Sequence, residues 1–78
     1  MTENLTMPKS GHLMEEGTVV SWKKKVGDLV KKGEIVAEIE AEKGVFEFES
    51  PLTGTIKQIL VEEQRTVPVG EVLAVVEV

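Results

Sequence analysis

The sequence predicts an all-β fold: a flattened barrel-sandwich of two small antiparallel sheets, about four strands each, with quasi-twofold symmetry. Three observations carry this expectation. The first is an internal repeat. Displaced by 37 positions, GTVVSWKKKVGDLVKKGEIVAEIE (Gly17–Glu40) lies without a gap over GTIKQILVEEQRTVPVGEVLAVVE (Gly54–Glu77). Seven of the 24 pairs are identical: Gly17/Gly54, Thr18/Thr55, Val30/Val67, Gly33/Gly70, Glu34/Glu71, Ala37/Ala74 and Glu40/Glu77. Others exchange one apolar residue for another, as at Val19/Ile56, Ile35/Val72, Val36/Leu73 and Ile39/Val76. Two halves built on one plan imply two related sheets. The second observation is composition, since Val, Ile and Thr fill the apolar positions. The third is punctuation: glycines recur every few residues, and no sustained helical stripe survives between them.

The elements follow in order. Strands are expected near Thr18–Lys23, Leu29–Val30, Ile35–Glu40, Gly44–Glu49, Thr55–Val61, Val67 and Val72–Val76. Gly27-Asp28, Lys32-Gly33-Glu34 and Val69-Gly70-Glu71 supply the turns between them. Pro68 stands beside a turn, where a missing amide does little harm. Between the halves lies IEAEKGVFEFESP (Ile39–Pro51), which alternates on both sides of a reversal. Its counterpart in the second half would begin after Glu77. The twofold therefore leaves the tip of this hairpin at one pole and the chain termini at the other.

Lys43 sits at that reversal. With Glu42 and Lys43 at the turn centre, Ile39 faces Phe46, Ala37 faces Phe48, and glutamates oppose only once, at Glu38 and Glu47. Centring on Lys43 and Gly44 would oppose glutamates twice, and like charges directly across strands destabilise. Gly44 also suits the left-handed position after a type I turn. The preferred centre is Glu42-Lys43, with the amine projecting into water. Exposed lysine amines are protonated at neutral pH and are poor nucleophiles unaided. A lysine in such a place is not a catalyst on its own account; on the turn alone it is either an ordinary surface lysine or a handle that another enzyme modifies.

Composition narrows the function classes. A chain of 78 residues has room for one core, so residues 1–78 are expected to form a single domain. It has no cysteine, hence no disulfide, thiol nucleophile or thiolate metal site, and a single histidine. The net charge of −5 and pI near 4.8 argue against nucleic acid as a partner. The longest apolar run, VLAVV (Val72–Val76), falls far short of the ~20 residues of a membrane helix. The opening MTENLTMPKSG has the order of neither a secretory signal nor a transit peptide, so the expected location is cytoplasmic. No nucleophile–base–acid set or phosphate loop can be assembled, and the chain is not expected to be an enzyme in its own right. Trp22 is expected in packing, Thr18 and Thr55 in structural roles, and Lys23, Lys24, Lys25, Lys31 and Lys32 on a solvated basic face. Glu38, Glu40, Glu42, Glu47 and Glu49 make the Lys43 hairpin acidic by contrast.

These residues together resemble a family, the lipoyl domains of 2-oxo acid and acetoin dehydrogenase complexes. MPKSGHLMEEGTVVSW (Met7–Trp22) resembles the family's opening strand and loop. VGDLVKKGEIVAEIE (Val26–Glu40) resembles its first-half motif. EAEKGV (Glu40–Val45) resembles the lipoyl-lysine turn, usually Glu-x-Asp-Lys-Ala. SPLTGTI (Ser50–Ile56) and VPVGEVLAVVE (Val67–Glu77) complete the pattern. Spacing agrees, with Gly27 sixteen residues before Lys43, Gly54 eleven after and Glu40 three before. Glu42 stands for the usual Asp and Gly44 for the usual Ala. Gln64-Arg65 occupies the place of the second-half Gly-Asp, so Gln64 is strained if that turn needs a positive φ.

The resemblance implies a carrier with lipoic acid in amide linkage on Lys43, possessing no catalytic site of its own but belonging to a dihydrolipoamide acyltransferase. Glu40, Glu42, Gly44, Gly27 and Gly54 become candidate determinants for the modifying enzyme, and His12 and Leu13 candidate partner contacts. The implied partners are a lipoate ligase or lipoyl transferase, a 2-oxo acid or acetoin decarboxylating component, the acyltransferase core and dihydrolipoyl dehydrogenase. The isolated domain is expected to be monomeric. Two alternatives remain. A biotin carboxyl carrier domain uses the same lysine position, but usually with methionine on both sides, where this chain has Glu42 and Gly44. An unmodified barrel-sandwich interaction module would interrupt the hairpin with a long coiled coil.

Overall fold

Each half of the repeat forms three strands, takes a fourth from outside the repeat, and trades its shortest strand with the other half. The computed structural model describes residues 1–9 and 14–78. Its strands are β1 (Thr2–Thr6), β2 (Glu16–Trp22), β3 (Leu29–Val30), β4 (Ile35–Ala41), β5 (Gly44–Glu49), β6 (Gly54–Ile59), β7 (Thr66–Pro68) and β8 (Val72–Glu77). They form two antiparallel four-stranded sheets, ordered β5-β4-β2-β7 and β1-β8-β6-β3. Displacing the chain by 37 residues turns one order into the other. β7, from the second half, completes the first half's sheet, and β3 completes the second's. The sheets lie as a sandwich and are not closed, so β1, β3, β5 and β7 remain edges.

Backbone hydrogen bonds repeat at the same offset. The amide of Lys23 donates to Val36 O and that of Leu60 to Leu73 O, both at 2.8 Å. The acceptors Glu34 and Glu71 also match, receiving Ser50 N and Met7 N, both at 2.8 Å, from the segments that follow β5 and β1 outside the repeat. The turn glycines agree as well, with φ of 92° at Gly33 and 95° at Gly70.

One strand, β1, has no counterpart among those expected from the sequence. The expected strands begin at Thr18, whereas TENLT forms β1 along β8 and fills the place of the hairpin's missing counterpart. The reason is physical: Leu5 is the segment's only apolar side chain, and one residue shows no alternation. Pairing with β8 and complete burial of Leu5 hold the strand. The Val78 amide donates to Met1 O at 2.9 Å, so the termini meet where the twofold mate of the Ala41–Gly44 pair would stand.

The core is equally paired. Val36 with Ala37, and Leu73 with Ala74, are consecutive residues that are all fully buried. Simple alternation forbids this, but register shifts beside Val36 and Leu73 turn both neighbours inward. Val19 and Ile56, Ile39 and Val76, and Leu5 and Phe48 complete matched layers between the sheets. Trp22 leans on this core while its Nε1–H donates to Val61 O at 2.8 Å, which is the packing role expected of it. Gly17 and Gly54 leave room for side chains and backbone of the neighbouring strand in the same sheet. A Cβ on Gly17 would lie 2.9 Å from Ile39, Met14 and Met7 side-chain atoms, and one on Gly54 would collide with Glu77 O.

Candidate functional site

The Lys43 turn is the end of a well-fixed stem. Along β4 and β5 the pairs are Ala37–Phe48, Glu38–Glu47, Ile39–Phe46, Glu40–Val45 and Ala41–Gly44. This register centres the turn on Glu42 and Lys43, with the single glutamate opposition that alternation predicts. Ser21 Oγ donates to Glu38 Oε1 at 2.9 Å and Lys23 Nζ lies 3.6 Å from the same oxygen, offsetting the repulsion from Glu47. Ile39 and Phe48 are buried and Phe46 is half-buried, so the stem is anchored in the core. Glu42, Lys43 and Gly44 are exposed.

Gly44 has φ of 133°, in the region that favours glycine. A Cβ there would find nothing within 4 Å, so the residue serves backbone shape rather than close packing. Beside the turn, Glu40 is exposed and pairs with Val45 on one side and Thr18 on the other. Thr18 and Thr66 share a hydroxyl–hydroxyl bond of 2.7 Å, tying β7 to this end of the sheet. Val45 is 57% exposed, an apolar surface two residues from Lys43. Val45 shares the exposed face of β5 with Glu47 and Glu49.

Glu40, Glu42, Gly44 and Lys43 are therefore brought together. Gly27 and Gly54 have their contacts in the other sheet. Gly54 pairs with Val30 and abuts Glu77, while the Gly27 amide donates to Ile56 O at 2.8 Å. Their positions express twofold construction. His12 and Leu13 fall within 10–13, outside the described residues. Among the described residues no group of acidic or histidine side chains could hold a metal ion, and no helix is long and apolar enough to cross a membrane.

Comparison with known proteins agrees with this geometry. The biotin/lipoyl family model, described as "Biotin-requiring enzyme", matches residues 3–76. The chain is 47% identical over 70 residues to the dihydrolipoyllysine-residue acetyltransferase component of the acetoin cleaving system of Bacillus subtilis, covering 90% of this chain and 18% of that protein. It is 45% identical over 76 residues to the corresponding component of the pyruvate dehydrogenase complex of Zymomonas mobilis, covering 96% of this chain and 17% of that protein. The chain thus spans less than a fifth of the length of these relatives. The solution structure of the lipoyl domain of the 2-oxoglutarate dehydrogenase complex from Azotobacter vinelandii superposes with a TM-score of 0.75 at 34% identity, covering 95% of this chain and 94% of that one. An all-β sandwich repeated about a twofold, a lysine at the tip of its central hairpin and these similarities lead to one conclusion: the chain belongs to the biotin/lipoyl family, as a lipoyl domain.

Proposed function

We propose that Lys43 is the attachment point for lipoic acid, and that residues 1–78 act as one carrier unit serving successive active sites of a 2-oxo acid or acetoin dehydrogenase complex. The observation that carries this reading is the exposed Glu42-Lys43 turn on a stem whose other residues are buried or paired. The fit to the group is favourable on the structure's own terms. The tip is open, its backbone shape is supplied by Gly44, and the cysteine-free chain needs any thiol chemistry brought to it.

When attached, the dithiolane supplies a disulfide that can take up two electrons and sulfur that can carry an acyl group. The chain's own part is positioning. The Lys43 amine is linked as an amide to the carboxyl group, which removes its positive charge from the tip. The β4–β5 ladder fixes where the arm begins. A small rigid body on a tether raises the local concentration of its cargo at each site it visits. Glu40, Glu42 and Gly44 shape the turn that a lipoate ligase or lipoyl transferase would read. The decarboxylating component, the acyltransferase core and dihydrolipoyl dehydrogenase are the partners that would act on the cargo. The catalytic work belongs to them.

Intact mass spectrometry tests the assignment. Incubation with lipoate ligase should add one lipoyl group, incubation with biotin ligase should add nothing, and Lys43→Arg should abolish the gain. Modification of the Lys43→Arg variant, or of the native chain by biotin ligase alone, would overturn it.

A further inference from the structure

The twofold supplies an internal control: where one half satisfies a group and the other leaves the same position open, the fold does not demand the opening. Glu34 and Glu71 are such a pair. Their backbones match, with Glu34 N donating to Lys31 O at 2.9 Å and Glu71 N to Pro68 O at 3.1 Å. Their side chains do not. Glu34 Oε1 accepts the Lys31 amide at 2.7 Å and lies 3.6 Å from Lys24 Nζ. The Lys24 side chain is only 24% exposed, so its stem lies along the protein while its ammonium reaches the carboxylate.

Both partners are lost at Glu71. Pro68 stands in the place of Lys31 and has no N–H to donate. Val61 stands in the place of Lys24, short and uncharged. The Glu71 carboxylate makes no hydrogen bond or ion pair among the described residues. Where the stem of Lys24 would run, the second half has a cleft of about 130 Å³ lined by Leu60, Val61, Glu62, Arg65, Val67 and Glu71.

We propose that this cleft receives the side chain of a lysine presented by a partner protein, its stem over Leu60, Val61 and Val67 and its ammonium against Glu71. The volume is well below the ~300–1,000 Å³ of small-molecule sites and suits a single side chain. Glu62 and Glu71 outnumber Arg65 in the lining, and the chain's net charge of −5 favours a cationic visitor. The occupant at the twofold-related position is a compact ammonium, not a planar guanidinium, which would seek a bidentate partner.

The test is a ¹⁵N–¹H NMR titration at constant ionic strength with n-butylammonium, the lysine side chain without its backbone, and N-butylacetamide as the uncharged control. Saturable shifts are expected at Leu60, Val61, Glu62, Arg65, Val67 and Glu71 with the ammonium alone. Glu71→Gln should weaken binding by about three- to fivefold, the scale of an exposed ion pair. Val61→Lys, which places the counterpart of Lys24 in the cleft, should abolish the response while leaving the β-sheet resonances in place. Shifts that are absent, equal with the amide, or unchanged by Glu71→Gln would overturn the proposal. Movement of the same resonances on dilution of the protein alone would assign the cleft to a second copy of this chain and overturn the partner assignment.

Discussion

Gln64 and Gly27 occupy one position of the repeat, and both have positive φ, 69° and 95°. The turn requires that conformation in each half because its amide must reach across to the neighbouring strand. Gln64 N donates to Val19 O at 2.6 Å, and Gly27 N to Ile56 O at 2.8 Å. A non-glycine residue there costs about 1–2 kcal/mol. Gln64 recovers part of this through Nε2–H donating to Val20 O at 2.9 Å, an exposed bond at the low end of ~0.5–1.5 kcal/mol. Gln64→Gly should therefore gain up to ~1 kcal/mol, and Gly27→Ala should lose ~1–2 kcal/mol, both read from urea midpoints. A large loss on Gln64→Gly would contradict the strain. Glu34 carries the acid dependence of its turn. The Lys31 amide, and with it the Lys24 charge, hold its carboxyl below the ordinary value of 4.5 against the opposing effect of burial. A carboxylate lowered on folding adds stability above its unfolded pKa and loses it as pH falls through the folded value. Glu34→Gln should thus lower Tm at neutral pH, with the difference closing below about pH 4.5, in a series of melts. Glu77, lowered chiefly by its hydrogen bond to the Met1 amine, keeps its own acid response in that variant. The strain at Gln64 was legible because it stands where the family pattern has a glycine. The partners of Glu34 were not, since nothing in local sequence says which lysine lies down along the surface.

At the scale of the element, the hairpin carrying Lys43 was readable from its turn back to the Ala37–Phe48 pair. Charge opposition and the position of Gly44 select the same register that β4 and β5 adopt. β1 was unreadable because TENLT buries one side chain and owes its conformation to β8. The bulges beside Val36 and Leu73 were equally hidden. Adjacent apolar residues such as Val36-Ala37 break an alternating pattern without saying how the chain accommodates them, and only contact with both sheets turns each inward. Gly54 shows the same distinction. Its place in the repeat marks it as special, but the reason is contact with β8, where a side chain would meet Glu77 O and Val76. Gly54→Ala should cost at least ~1–3 kcal/mol, as overpacking does, in chemical denaturation. A neutral result would mean that β6 and β8 can separate without penalty.

The whole molecule is two interlocked copies of one half. Because β3 and β7 cross to the opposite sheets, neither half can form its sheet alone. The termini meet as Ala41 and Gly44 do, through the Val78 amide and Met1 O. A permuted chain beginning at Gly44 and ending at Lys43, with Val78 joined to Met1 by a two-residue turn, should keep the fold. Its ¹⁵N–¹H spectrum should match the native one away from the two poles; loss of dispersed β resonances would show that the order of the halves matters. By itself the sequence determined the repeat, the all-β class, the hairpin register and the lysine at its tip, because these follow from periodicity, turn chemistry and charge along short stretches of chain. Tertiary structure alone decided that TENLT is a strand, that the short strands change sheets, and that Glu34 is paired while Glu71 has no partner among the described residues. Each of those rests on contacts between residues far apart in sequence, where burial and hydrogen bonding outweigh local preference.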